Sequence, residues 1–105
     1  MNQERLAKLL QMFEENKVDT FLTYAIALEY LGDSNTENAL IWFNKTLEIN
    51  PEHVATLYQI AMVYSNLGQT EQACNFLEKG LEILKNSKDT KTKNEFRSLL
   101  DELRY

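Results

Sequence analysis

Apolar side chains recur along this chain at three- and four-residue spacing, and polar runs divide the pattern into segments of helical length. Over residues 2–16, Leu6, Leu9, Leu10 and Phe13 form one stripe while Glu4, Lys8, Gln11 and Glu15 point elsewhere, which predicts an amphipathic helix. Asn16-Lys17-Val18-Asp19 ends it, and Asp19 or Thr20 can cap the next helix by accepting a first-turn N–H bond. Residues 21–31 are apolar on more than one face, as in a helix contacted from several sides. Gly32-Asp33-Ser34-Asn35-Thr36 breaks that helix; Ser34 with Glu37 has capping-box spacing for the next, with Thr36 an alternative cap. The helix predicted over 37–49 carries Leu40, Trp42, Phe43 and Leu47 and stops at Asn50-Pro51. The same grammar then recurs: helix over 54–67, turn at Gly68-Gln69-Thr70, helix over 71–84. A polar connector over 86–92 leads to a last helix ending near residue 104, capped by Asp89 or Thr90, with one stripe of Phe96, Leu99, Leu100 and Leu103.

The recurrence is literal. Residues 20–49 moved forward by 34 positions fall on 54–83 without a gap. Tyr24 meets Tyr58, Ile26 meets Ile60, Ala27 meets Ala61 and Tyr30 meets Tyr64. Thr36 meets Thr70, Glu37 meets Glu71, Ala39 meets Ala73, and Leu47-Glu48-Ile49 meets Leu81-Glu82-Ile83. Unrelated segments agree at only about one residue in fifteen to twenty, so this is an internal repeat. The same shift places Leu6 on Leu40, Leu9 on Phe43 and Phe13 on Leu47, so the first helix reads as the second half of a repeat lacking its first half. Arg5 falls where Ala39 and Ala73 stand, and a close helix approach is not expected there. The last helix repeats the spacing of Leu57, Ile60, Ala61 and Tyr64 displaced by 39 positions, and reads as a closing cap. Gly68 lies five residues before Ala73 but Gly32 seven before Ala39, which predicts a less regular first turn. Gly80 occupies the place of Thr46 in mid-helix; a tight contact with the following helix and simple drift explain it equally.

The period and the placing of Ile26-Ala27, Tyr30, Ala39, Phe43 and Pro51, then Leu57, Ile60-Ala61, Tyr64, Gly68, Ala73 and Leu77, resemble the tetratricopeptide repeat. Thr23, Ser34, Thr46, Gly80 and Lys85 depart from the family pattern without removing the small residues where paired helices cross. The resemblance implies an all-α chain, a right-handed α-α superhelix of about six helices in one domain. Its parts would be a cap helix over 2–17, repeats over 20–53 and 54–87, and a capping helix over 89–104. Ile26, Ala27, Tyr30, Ala39, Phe43 and Leu47 would pack the first repeat; Ile60, Ala61, Tyr64, Ala73, Leu77 and Leu81 would pack the second. The resemblance further implies a concave groove lined by the first helix of each pair. Its residues would be Phe21, Tyr24, Ala25 and Leu28, then Ala55, Tyr58, Gln59, Met62 and Asn66. Such a surface suits the apolar side of an extended peptide or an amphipathic helix, unless the terminal helices cover it. Tyr24, Leu28, Gln59 and Met62 stand where a carboxylate clamp for a chaperone tail would need lysine, asparagine and arginine, which argues against that partner. Trp42 and Phe76 share one position on the second helices, where they either pack on the preceding pair or form an outer surface such as a dimer interface.

Composition narrows the function without naming it. A net charge of −5 argues against nucleic acid, whose phosphates would be repelled. Lys85, Lys88, Lys91 and Lys93 cluster, but Asp89 and Glu95 among them make a solvated connector the better reading. No run approaches the ~20 apolar residues of a membrane span. Cys74 is the only cysteine, which excludes an intrachain disulfide and fits a cytoplasmic chain. His53 reads as a polar helix-start residue and Cys74 as a small buried side chain; neither has partners at catalytic or metal-ligand spacing. Asn44-Lys45-Thr46 matches a glycosylation acceptor but lies mid-helix. No catalytic residue, metal site or cofactor is assigned. The expected function is a non-catalytic adaptor or scaffold binding a protein segment; the alternatives are a structural homodimer and, remotely, an enzyme or metal protein.

Overall fold

The computed structural model describes residues 3–105 and holds six α-helices there, with no strand among the described residues. They are α1 (Gln3–Glu15), α2 (Thr20–Gly32), α3 (Thr36–Ile49), α4 (Val54–Asn66), α5 (Thr70–Ile83) and α6 (Thr90–Arg104). The expected helices coincide with these to within about a residue at their ends; residue 2, where the first was expected to start, lies outside the described residues. The helices group into two compact units, one ending at His53 and one beginning at Val54. In the first, α2 packs on α3 and α1 on α2; in the second, α4 packs on α5 and α5 on α6.

Small residues make the close crossings. Ala27 and Ala39 are fully buried in the first unit, Ala61 and Ala73 in the second, each beside buried Ile26 or Ile60 and Phe43 or Leu77. Tyr30, Leu47, Tyr64 and Leu81 are half-buried at the margins of those cores. Arg5, at the small-residue position of α1, stays exposed and sends its guanidinium to Glu29 of α2 at 2.9 Å. An ion pair thus replaces the small-residue crossing at that edge.

The first turn corrects two expectations. Neither Ser34 nor Thr36 caps α3; Asn35 does, its Oδ1 accepting from the Asn38 N–H at 3.3 Å. Nor is this turn less regular than the second. The Ser34 N–H donates to the Leu31 carbonyl at 2.9 Å and the Asn35 N–H to the Tyr30 carbonyl at 2.9 Å. Gly68 to Ser65 at 3.0 Å and Gln69 to Tyr64 at 2.9 Å repeat the pair 34 positions on. Both are Schellman closures, and the left-handed residue each requires is Ser34 at φ +59° and Gly68 at φ +78°. Gly32 is merely the last residue of α2. The other caps agree with the sequence: Asp19 accepts from the Phe21 N–H at 2.9 Å, and Asp89 from the Thr92 N–H at 3.1 Å.

The repeat departures interlock locally. Thr23 and Thr46, both fully buried, share a hydrogen bond of 2.8 Å between hydroxyls across the α2–α3 crossing. Thr23 donates to the Thr20 carbonyl and its oxygen accepts from Thr46, whose single proton is shared between that oxygen and the Trp42 carbonyl, so no buried hydroxyl is unsatisfied. Their counterparts at 34 positions on are Leu57 and Gly80. A Cβ on Gly80 would collide with the ring edge of Phe96, itself buried on α6. The tight contact, rather than drift, accounts for that glycine.

Candidate functional site

The first helix of each pair carries almost no charge. Of 27 charged residues in the chain only Glu29 lies in α2, and none lies in α4. Helices otherwise keep one polar face to meet water, so the outward faces of α2 and α4 are where an unusual surface must be sought.

On α2, Phe21, Ala25 and Leu28 follow one another at four and three residues and so share a face. Phe21 is 71% exposed and Leu28 37%, with Ala25 half-buried. The Asp19 cap fixes the first turn beneath Phe21 by accepting from the N–H groups of Phe21 and Leu22. Val18, just before the cap, is 73% exposed and extends the apolar stretch. It falls in a turn, outside any helical periodicity, so no sequence signal marked it. Tyr24 is placed differently. Its ring lies 5.9 Å from that of Phe43 and 5.1 Å from that of His53, so much of it serves packing. Burial lowers the pKa of His53 below the ordinary histidine value, because the imidazolium loses hydration there.

On α4 the corresponding positions differ in chemistry. Ala55 stands for Phe21, Gln59 for Ala25, Met62 for Leu28 and Asn66 for Gly32. Met62 is 39% exposed, Ala55 and Asn66 are exposed and Gln59 is half-buried. Tyr58 packs edge-on against Phe96 at 5.2 Å. Its remaining edge borders an open hollow shared with Lys91, Glu95, Leu99 and Glu102 of α6. The two tyrosines of the expected groove are thus half-buried supports, while its large residues that meet solvent are Phe21, Leu28 and Met62.

Trp42 and Phe76, equivalent in sequence, have different neighbours. Trp42 receives the edge of Phe13 at 4.9 Å and Lys45 over its ring at 5.5 Å. Phe76 stacks on Tyr64 at 5.8 Å within its own pair. Both are half-buried. Cys74 is buried on α5. Among the described residues no group of three or more His, Cys, Asp or Glu could hold a metal ion, and no helix is long and apolar enough to cross a membrane.

A family model described as "Regulator of microtubule dynamics protein 1-3" matches residues 23–104. No curated protein matches the sequence significantly. Among solved structures, the crystal structure of a tetratricopeptide repeat domain protein from Salinibacter ruber is similar at TM-score 0.75 and 28% identity, over 82% of this chain and 97% of that one. The solution structure of the tetratricopeptide repeat domain protein from that organism gives 0.74 and 28%, over 81% and 86%. A protein of Bordetella parapertussis reaches TM-score 0.80 at 17% identity, over 94% of this chain and 86% of that one, a likeness of fold alone. The helix pairs described above are therefore tetratricopeptide repeats.

Proposed function

The chain belongs to the family described as regulator of microtubule dynamics protein 1-3, and on that footing we infer that it is a non-catalytic protein-interaction module. One observation carries the reading: α2 presents Phe21 and Leu28 to solvent on a helix whose only charge, Glu29, is held by Arg5. Burying exposed apolar area is the main source of association free energy, at roughly 25 cal/mol per Å² before the costs of ordering. The exposed parts of α2 and α4, Phe21 foremost, offer this chain such area to bury against a partner. Tyr24 and Tyr58, packed on Phe43 and Phe96, hold those faces in shape. A buried lone cysteine suits a cytoplasmic setting for such a module.

The double variant Phe21→Ala with Leu28→Ala, and separately Met62→Ala, test this. Affinity capture from the native cell extract should lose its specific partner with the α2 variant while circular dichroism stays unchanged. Capture that survives both variants overturns the assignment. Tyr24→Ala is a poorer probe, because it also unpacks Phe43 and His53. The family description favours partners of the microtubule system, and co-sedimentation with assembled microtubules, repeated with the α2 variant, tests that narrower reading.

A further inference from the structure

Residues 1–53 hold nine acidic and four basic side chains and residues 54–105 seven of each, so the entire net charge of −5 belongs to the first unit. Three of its four cations are already engaged. Arg5 meets Glu29 at 2.9 Å, Lys17 meets Glu14 at 3.4 Å, and Lys45 lies over Trp42 at 5.5 Å. Acidic residues of this unit stand at both ends of α2 and in the segment that follows α3. Asp19 precedes the helix, Asp33 follows it, and Glu52 adjoins His53, whose ring lies against Tyr24. The cations beside the helix are held by carboxylates, Lys17 by Glu14 and Arg5 by Glu29.

We propose that the α2 face is a docking surface for a cationic amphipathic segment, a helix whose apolar stripe covers Phe21 and Leu28 and whose lysines or arginines meet the carboxylates of this acidic unit. The proposal rests on the interaction-module reading and specifies its partner. Apolar contact supplies the adhesion, and opposite charge at the margin supplies choice of partner and faster encounter. An acidic partner would bring like charges together around the same face. The α4 face is a poorer match, because Ala55 and Gln59 replace Phe21 and Ala25 and the second unit is neutral.

The test uses the full chain and three designed peptides of about five helical turns. One has a leucine stripe flanked by lysine, one the same stripe flanked by glutamate, and one lysine with serine in place of leucine. Amide chemical shifts and calorimetry at low and moderate salt read the outcome. The leucine–lysine peptide should bind at least about tenfold tighter than the other two, move the resonances of Phe21, Ala25 and Leu28, and weaken as salt rises. Phe21→Ala with Leu28→Ala should cost about tenfold or more with the helical signal intact, and Glu52→Lys should reduce the salt dependence. Equal binding of the glutamate peptide to that face overturns the charge preference and leaves the interaction module standing. Equal binding of the lysine–serine peptide, unaffected by the double variant, reduces the effect to diffuse attraction and overturns the proposal. If no peptide moves the α2 resonances the proposal falls, and the capture experiment decides the broader reading separately.

Discussion

At position 34 the backbone requires a left-handed residue and the sequence provides serine, whereas the second copy provides glycine at 68. A non-glycine residue there carries a steric cost of roughly 1–2 kcal/mol, partly offset by the smaller entropy it loses on folding. Ser34→Gly should therefore stabilise the chain by about 0.5–1 kcal/mol, read as a melting temperature a few degrees higher. The opposite holds at Gly80. Mid-helix glycine ordinarily gains about 1 kcal/mol on replacement by alanine, but here the added Cβ would collide with the ring edge of buried Phe96. Gly80→Ala should be destabilising, by about 1–3 kcal/mol in chemical denaturation, as overpacked crossings are. Two departures from one consensus thus predict stability changes of opposite sign. Sequence showed that both were departures; only the backbone angle at 34 and the ring against 80 tell what each does.

Among the elements, α1 shows how a partial repeat closes an edge. It retains the stripe of a second helix, with Leu6 buried and Leu9, Leu10 and Phe13 half-buried. It replaces the small crossing residue by Arg5, paired with Glu29. Its aromatic anchor is Phe13 on Trp42, the only tryptophan in the chain, which makes the docking of α1 directly observable. Phe13→Ala should shift Trp42 emission to the red and lower stability by about 1–3 kcal/mol, below the cost for a fully buried ring because Phe13 is half-buried. An unshifted spectrum would mean that Trp42 is covered by other residues. The helical stripe of α1 was legible because amphipathic periodicity survives in sequence. The pairing of Trp42 with Phe13 and of Phe76 with Tyr64 was not, since equivalent positions have different neighbours when one copy has a preceding half-repeat beside it.

For the molecule as a whole, stability should depend on pH through two depressed groups. Burial holds the pKa of His53 below its ordinary value of 6.5 in the folded chain. The unfolded chain therefore takes up that proton first as pH falls, and stability drops through the region near 6.5 and levels off once the folded imidazole also protonates. Asp89 is held below its ordinary 3.8, chiefly by the hydrogen bonds it accepts from the Thr92 side chain and backbone. Its contribution is present above that value and disappears only in more acid solution. Melting temperatures between pH 8 and pH 5 should show the first step, and His53→Gln should flatten it. A step that persists in the variant would assign it elsewhere.

Periodicity, the internal shift of 34 residues and the capping carboxylates determined the six helices, their pairing and the tetratricopeptide-repeat architecture. These are local or self-referential signals, because an apolar stripe, an alanine crossing and an Asp cap each work through neighbours a few residues away. The face of α2 was legible in outline for the same reason. Tertiary structure decided which of its members remain available. Tyr24 turned to Phe43 and His53, and Tyr58 to Phe96, because an aromatic ring beside a cavity edge gains more by packing than by facing water. Phe21 had no such neighbour and stayed outside, leaving an apolar face on the unit that bears the chain's whole net charge.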